Sequence, residues 1–132
     1  MKVVEVRIIF EFLSKLKLNK FEKEVRIALL KNYTEMYTVY KEQEAKMEEL
    51  KKKIFTDDDL KSIQESIENK TSLSQDLINK NTEYNSVLSS LFDSECDIKI
   101  TKVSEEKFVE GLANSDIDFT PIDIVRLKPI FE

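Results

Sequence analysis

Apolar residues recur along this chain at helical spacing, in stretches long enough to demand extended helices. Val6, Ile9, Phe10, Leu13 and Leu16 mark a first short amphipathic helix. Ile8 and Phe12 lie off that face, so two sides of this helix are expected to be covered. Val and Ile also favour strands, which makes a strand over Lys2–Phe10 the competing reading; the spacing favours helix. Asn19, with Glu22 three residues on, has the form of a capping box. It predicts a second, long helix from about Lys20 to Ile54. Its early part is broadly apolar (Phe21, Val25, Ala28, Leu29, Leu30). Its later part follows a 3-4 repeat through Tyr33, Met36, Tyr40, Gln43, Met47, Leu50 and Ile54, the pattern of a coiled-coil seam.

Thr56 followed by three aspartates is a helix-start signal, since the hydroxyl caps and the carboxylates suit the positive end of a helix dipole. A third helix is expected from there to about Phe92, with Leu60, Ile63, Ile67, Leu77, Tyr84, Leu88 and Leu91 on its seam. Lys70, Ser74 and Asn81 fall on the same seam, so a kink or break is expected over 69–74. A tight turn at 55–57 would fold the two long helices into an antiparallel hairpin. It would pair Leu50 with Leu60, Met47 with Ile63, Gln43 with Ile67, Tyr33 with Leu77 and Phe21 with Leu88. The first helix would cover the open end.

After Asp93 the pattern changes. Cys96, Ile98 and Ile100 alternate with polar residues, as in a short strand. Ser104 caps a short helix running to about Leu112. Thr120, Pro121 and Asp123 open a last helix, which Pro129 ends. The expected fold is mostly α: a coiled-coil-like helical hairpin with a short N-terminal helix at its open end, and a C-terminal strand plus two short helices. It forms one domain, 1–132, with its hairpin part over 1–92 and its C-terminal segment over 93–132.

Composition supports helices. The 132 residues include one glycine, Gly111, and two prolines, too few breakers for a turn-rich β fold. Net charge is −5, unevenly spread: residues 1–55 hold 13 Lys and Arg against 9 Asp and Glu, and the rest hold 8 against 17. A basic helix beside an acidic one accounts for this. A nucleic-acid partner is disfavoured by the overall sign. The single Cys96 excludes an internal disulfide and fits a reducing cytoplasm. Glu5 and Arg7 interrupt the N-terminal apolar run, so a signal peptide is not expected, nor is a membrane span.

The chemistry of enzymes is thinly represented. There is no histidine, the commonest general base and metal ligand. Cys96 has no such partner to activate it, and one glycine cannot build a phosphate cradle. Asp57, Asp58 and Asp59 point about 100° apart on a helix, which suits a helix start better than a metal cage. Asp93, Glu95 and Asp97 begin like a calcium loop, but Ile98 stands at the glycine position and Ser104 at the final acid. No cofactor, metal or catalytic residue is expected. Tyr33, Tyr37 and Tyr40 lie beside Lys31 and Lys41. Tyr33 and Tyr40 belong to the seam, while Tyr37 is a candidate exposed anchor for a protein partner.

The order of parts is itself informative. LSKLKL closes the first helix and FEKEVRIALLKN opens the second. EYNSVLSSLFDSECDIKITKVSEEKF follows the acidic middle, and DFTPIDIVRLKPIF ends the chain. This layout resembles a family of small tailed-phage and prophage proteins that carry a domain-of-unknown-function label. The resemblance implies a phage or prophage origin and expression in a bacterial cytoplasm; association with a virion is the other location expected. The function expected is that of a non-catalytic protein-interaction protein with an assembly or virion accessory role. An inhibitor of host machinery, such as an anti-defence protein, and a small nucleic-acid-associated regulator are the alternatives. Tyr37, Ile130 and Phe131 are the candidate partner contacts; the competing reading folds Ile130 and Phe131 back onto the hairpin. Self-association is also expected to be open to the chain, since a second hairpin would complete a four-helix bundle over the partly polar seam.

Overall fold

The helical periodicity is realised along most of the chain. The computed structural model describes residues 1–132 and contains six α-helices: α1 (Val3–Leu13), α2 (Lys23–Ile54), α3 (Asp57–Asn69), α4 (Gln75–Asp93), α5 (Glu105–Ala113) and α6 (Pro121–Arg126). Two 3-10 turns accompany them, at Leu18–Lys20 and Lys128–Ile130. There is no sheet; two isolated bridges join Lys2 to Glu95 and Val103 to Phe131. The expected single domain divides into two compact units. Met1–Lys41 with Glu95–Glu132 forms the first and Glu42–Ser94 the second, so α2 contributes to both.

The first unit holds the main core. Val6, Ile9, Phe10 and Leu13 of α1 bury with Val25, Ala28, Leu29 and Met36 of α2, and with Phe108 and Leu112 of α5. The α2 positions that turn inward are Val25, Leu29, Asn32, Met36 and, half-buried, Val39. Met36 and Gln43 of the expected seam are buried with this repeat, while Tyr33 and Tyr40 lie half-buried at its edge. Helix α2 also begins three residues later than Asn19 suggested. Asn19 sits in the first 3-10 turn, and Phe21 is extended (φ −108°, ψ 152°). The reason lies in packing: Phe21 turns into the core against Phe108, ring centroids 5.5 Å apart, and lies on the backbone of α5 at Gly111.

The segment after Glu95 alternates in burial as a strand would, with Cys96, Ile98 and Ile100 on the core side, yet it pairs with no neighbouring strand. The expected strand is replaced by a chain laid against a helix. Asn32, fully buried on α2, supplies what a neighbouring strand would. Its Nδ2 donates to the Thr101 carbonyl at 2.9 Å, and its Oδ1 accepts from the Thr101 N–H at 2.7 Å. Ser104 caps α5 through the Lys107 N–H, and Thr120 with Asp123 forms a capping box at α6, with Pro121 in the first turn. Pro129 lies inside the last 3-10 turn; α6 ends before it, at Arg126. The chain then returns to Val103, whose N–H donates to the Ile130 carbonyl and whose carbonyl accepts from the Glu132 N–H.

The second unit is thinner. Among its apolar side chains, only Phe55 and Leu77 are buried. Thr56 starts α3 as expected, with a reciprocal capping box to Asp59. The reversal expected at 55–57 does not occur there. Phe55 meets Tyr84 of α4, ring centroids 5.8 Å apart, and Asp59 of α3 meets Lys80 of α4 at 2.6 Å. Further along, Val87 and Leu91 line one groove with Lys46, Leu50 and Lys53 of α2. Each advance along α4 thus matches a retreat along α3 and then α2. So α4 runs antiparallel past both, and α3 continues beyond the end of α2.

The hairpin turn of this unit is the expected break. Lys70 adopts the left-handed conformation (φ 54°), Thr71 N–H closes on the Ser66 carbonyl, and Ser74 caps α4. The expected partner of Leu50, Leu60, is therefore replaced by Val87 and Leu91 of α4. Gln43 is buried while Ile67 is exposed, so they share no seam. Phe21 packs on α5 instead of beside Leu88, and Tyr33 stacks on Phe10 instead of meeting Leu77.

Candidate protein-docking surface

The outer face of α2 in the first unit carries a second apolar repeat. Lys23, Ile27, Leu30, Thr34, Tyr37 and Lys41 follow one another at steps of four and three, and every one is exposed. Leu30 is 55% exposed, Ile27 46% and Tyr37 44%. At 100° per residue this stripe stands opposite the buried repeat of Val25, Leu29, Asn32 and Met36. Thr34 contributes to it as a small apolar residue, because its hydroxyl is turned back to donate to the Leu30 carbonyl at 2.9 Å. A helix with two opposite seams suits a place between two layers. One of those layers is the core.

The tyrosines fix one edge of the stripe. Phe10 of α1 inserts between Tyr33 and Tyr40, stacked on them at centroid distances of 4.8 and 4.6 Å, with Tyr37 tilted at 6.1 Å. Tyr33 and Tyr40 are thereby half-buried, and Tyr37 is left with its ring at the surface. Cations cover the row: the Arg7 guanidinium lies 4.7 Å over Tyr40, and Lys41 Nζ lies 5.7 Å from the Tyr37 ring.

Beside Leu30 and Tyr33 opens a groove of about 200 Å³, whose far wall is Leu13, Leu16 and Leu18. It is smaller than the roughly 300–1,000 Å³ of sites that enclose small molecules. Ser14, which also lines it, already donates to the Phe10 carbonyl at 2.8 Å. A groove lined in this way suits an apolar side chain.

The other singled-out residues fall elsewhere. Ile130 is fully buried and Phe131 is 5% exposed, its ring 5.3 Å from Phe108. The terminal pair is therefore core and not the outward partner contact expected, and only Tyr37 of the three presents a surface. Asp59 is engaged by Thr56 and Lys80, which hold its carboxyl below the usual carboxylate range, the Lys80 contact contributing most. Cys96 is half-buried and donates to the Met1 carbonyl at 3.3 Å; desolvation pushes its thiol up, away from the thiolate a nucleophile needs. Sequence reasoning missed Ile27, Leu30 and Thr34. The signal was present as a second 3-4 repeat, offset by one or two residues from the buried one. No helix is long and apolar enough to cross a membrane. Compared with known proteins, the chain matches no family model, no curated protein and no solved structure.

Proposed function

We propose that this chain is a non-catalytic protein-interaction protein and that it docks a partner on the outer stripe of α2. The observation that carries this reading is the exposed 3-4 repeat from Ile27 to Tyr37 beside a leucine-lined groove. Exposed apolar residues scattered singly need no explanation, but a row at seam spacing over several turns is the form in which helices recognise one another. The resemblance to tailed-phage and prophage proteins supports a bacterial setting, and the role proposed within it is an assembly or virion accessory one.

The test uses Leu30→Glu. Leu30 is exposed, so the change should leave thermal unfolding within about 0.5 kcal/mol of the parent. Immobilised parent and variant chains are then compared for the proteins they retain from phage-infected bacteria. Retention of a stoichiometric protein by the parent and its loss from the variant supports the reading. Retention of the same proteins by both chains overturns it.

A further inference from the structure

We infer that the turn between α3 and α4 is a hinge through which two copies of this chain exchange halves, giving a dimer in which α3 and α4 of each copy fuse into one helix. The inference is independent of the α2 stripe. Its first support is the phase of the seam. The alternating steps of three and four that run through Leu60, Ile63 and Ile67 of α3 continue through Lys70 and Ser74 of the turn and enter α4 at Leu77 without a fault. A hairpin turn has no need to keep helical phase, whereas a continuous helix keeps it by construction. Residues 69–75, NKTSLSQ, contain no glycine or proline, so nothing in them forbids a helix.

The turn is also held at a cost. Lys70 is the one residue of the chain with a positive φ (54°, ψ 38°), and its Cβ disfavours the left-handed region that a glycine enters freely. Closing the turn relies on the Thr71 N–H meeting the Ser66 carbonyl and on Ser74 capping α4 through the Leu77 N–H. A fused helix satisfies the same backbone groups within itself. What α3 gains from α4 is kept on exchange. Phe55 with Tyr84, and Asp59 with Lys80, are two pairs both centred between Asn69 and Lys70. Two fused helices laid antiparallel about that point bring Phe55 of one copy to Tyr84 of the other, and Asp59 to Lys80. Residues 1–69 of one copy then fold with 75–132 of the other, so the native contacts are rebuilt between chains. Ile67, 68% exposed at the end of the hairpin, comes to lie at the crossing of the two helices. Lys70 of both copies meet at the same place, a like-charge pair that restrains the exchange at low salt.

The experiment unfolds the full chain in guanidinium chloride and refolds it at micromolar and at millimolar concentration. A reductant keeps Cys96 a thiol. Mass is read by light scattering on a sizing column, and circular dichroism reports that each variant is folded. The parent should give a dimer whose share rises with refolding concentration and with salt. That dimer should persist for hours after dilution, because exchange back requires unfolding. Refolding the parent together with a copy carrying a larger tag should give a hybrid dimer, and mixing the two after folding should not. Thr71→Ala with Ser72→Ala and Ser74→Ala favours the fused helix and removes the α4 cap, so the constant for dimer over monomer should rise at least about tenfold. Lys70→Gly relieves the turn in both copies at once, so the same constant should fall at least about tenfold. A parent that refolds as monomer alone at every concentration overturns the inference. So does a dimer that falls apart within minutes of dilution, or one as abundant in Lys70→Gly, since intact hairpins packing together would behave in that way.

Discussion

Two residues fix the first unit in ways their neighbours cannot replace. Asn32 satisfies both backbone groups of Thr101 from within the core. Replacing it with alanine leaves an N–H and a carbonyl without their partner, so Asn32→Ala should destabilise the chain by about 1–3 kcal/mol, read from denaturant unfolding. Unchanged stability would mean that water replaces the amide without penalty. Gly111 is required by contact, since its φ is unremarkable and a Cβ there would fall 2.2 Å from the Phe21 ring. Alanine favours a helix over glycine by about 1 kcal/mol, but displacing a buried ring costs about 1–3 kcal/mol. Gly111→Ala should therefore lower the melting temperature, and a raised one would show that Phe21 swings aside freely. These roles were unequally legible. Asn32 falls on a 3-4 repeat with Val25, Leu29 and Met36, where a polar residue asks for an explanation. Nothing near Gly111 in the chain announces Phe21, ninety residues away, because the contact is purely tertiary.

At the scale of elements, the starts were more legible than the turns. Thr56, Ser104 and Thr120 cap helices as their sequences suggest, because a cap is made by residues three apart and needs no tertiary partner. The direction taken after a helix ends is not local. The signal at Thr56 marks a new start, and whether the chain reverses there depends on α4, which packs along both sides of the junction through Tyr84 and Lys80. This junction should be acid-sensitive. Asp59 has a folded-state pKa below its ordinary value, held there by Lys80 and then by the Thr56 N–H. Its contribution is complete above the unfolded carboxylate value of about 3.9 and is lost as pH falls through the lower folded value. Lys80 shows the complementary shift, raised chiefly by Asp59. Its contribution is complete below its unfolded value and is lost as pH rises through the raised folded one. The Asp59 carboxyl, followed by NMR, should titrate below the ordinary aspartate midpoint, and Lys80→Met should bring it back up. An Asp59 midpoint indifferent to Lys80→Met would assign the shift to the cap alone.

The whole molecule divides its work between two units of unlike composition. The first holds all the buried apolar side chains except Phe55 and Leu77 and is charge-balanced, with 14 basic and 14 acidic residues. The second holds 7 and 12, and so carries the net charge of −5. Charge and burial both predict unequal stability. Helix α3 has no buried residue, and Ile67 near its end is 68% exposed. A helix with no buried side chain is held by its cap and by half-covered contacts, so it opens without disturbing a core. Native-state hydrogen exchange should find the amides of Ile63–Glu68 exchanging at least about tenfold faster than those of Leu29–Met36, a difference of about 1.4 kcal/mol or more in opening free energy. Exchange from α3 should also quicken on acidification relative to its intrinsic rate, as the Asp59 contribution is lost. Equal protection across the two segments would mean that the chain opens only as one cooperative body and that α3 is held as firmly as the core despite having no buried side chain.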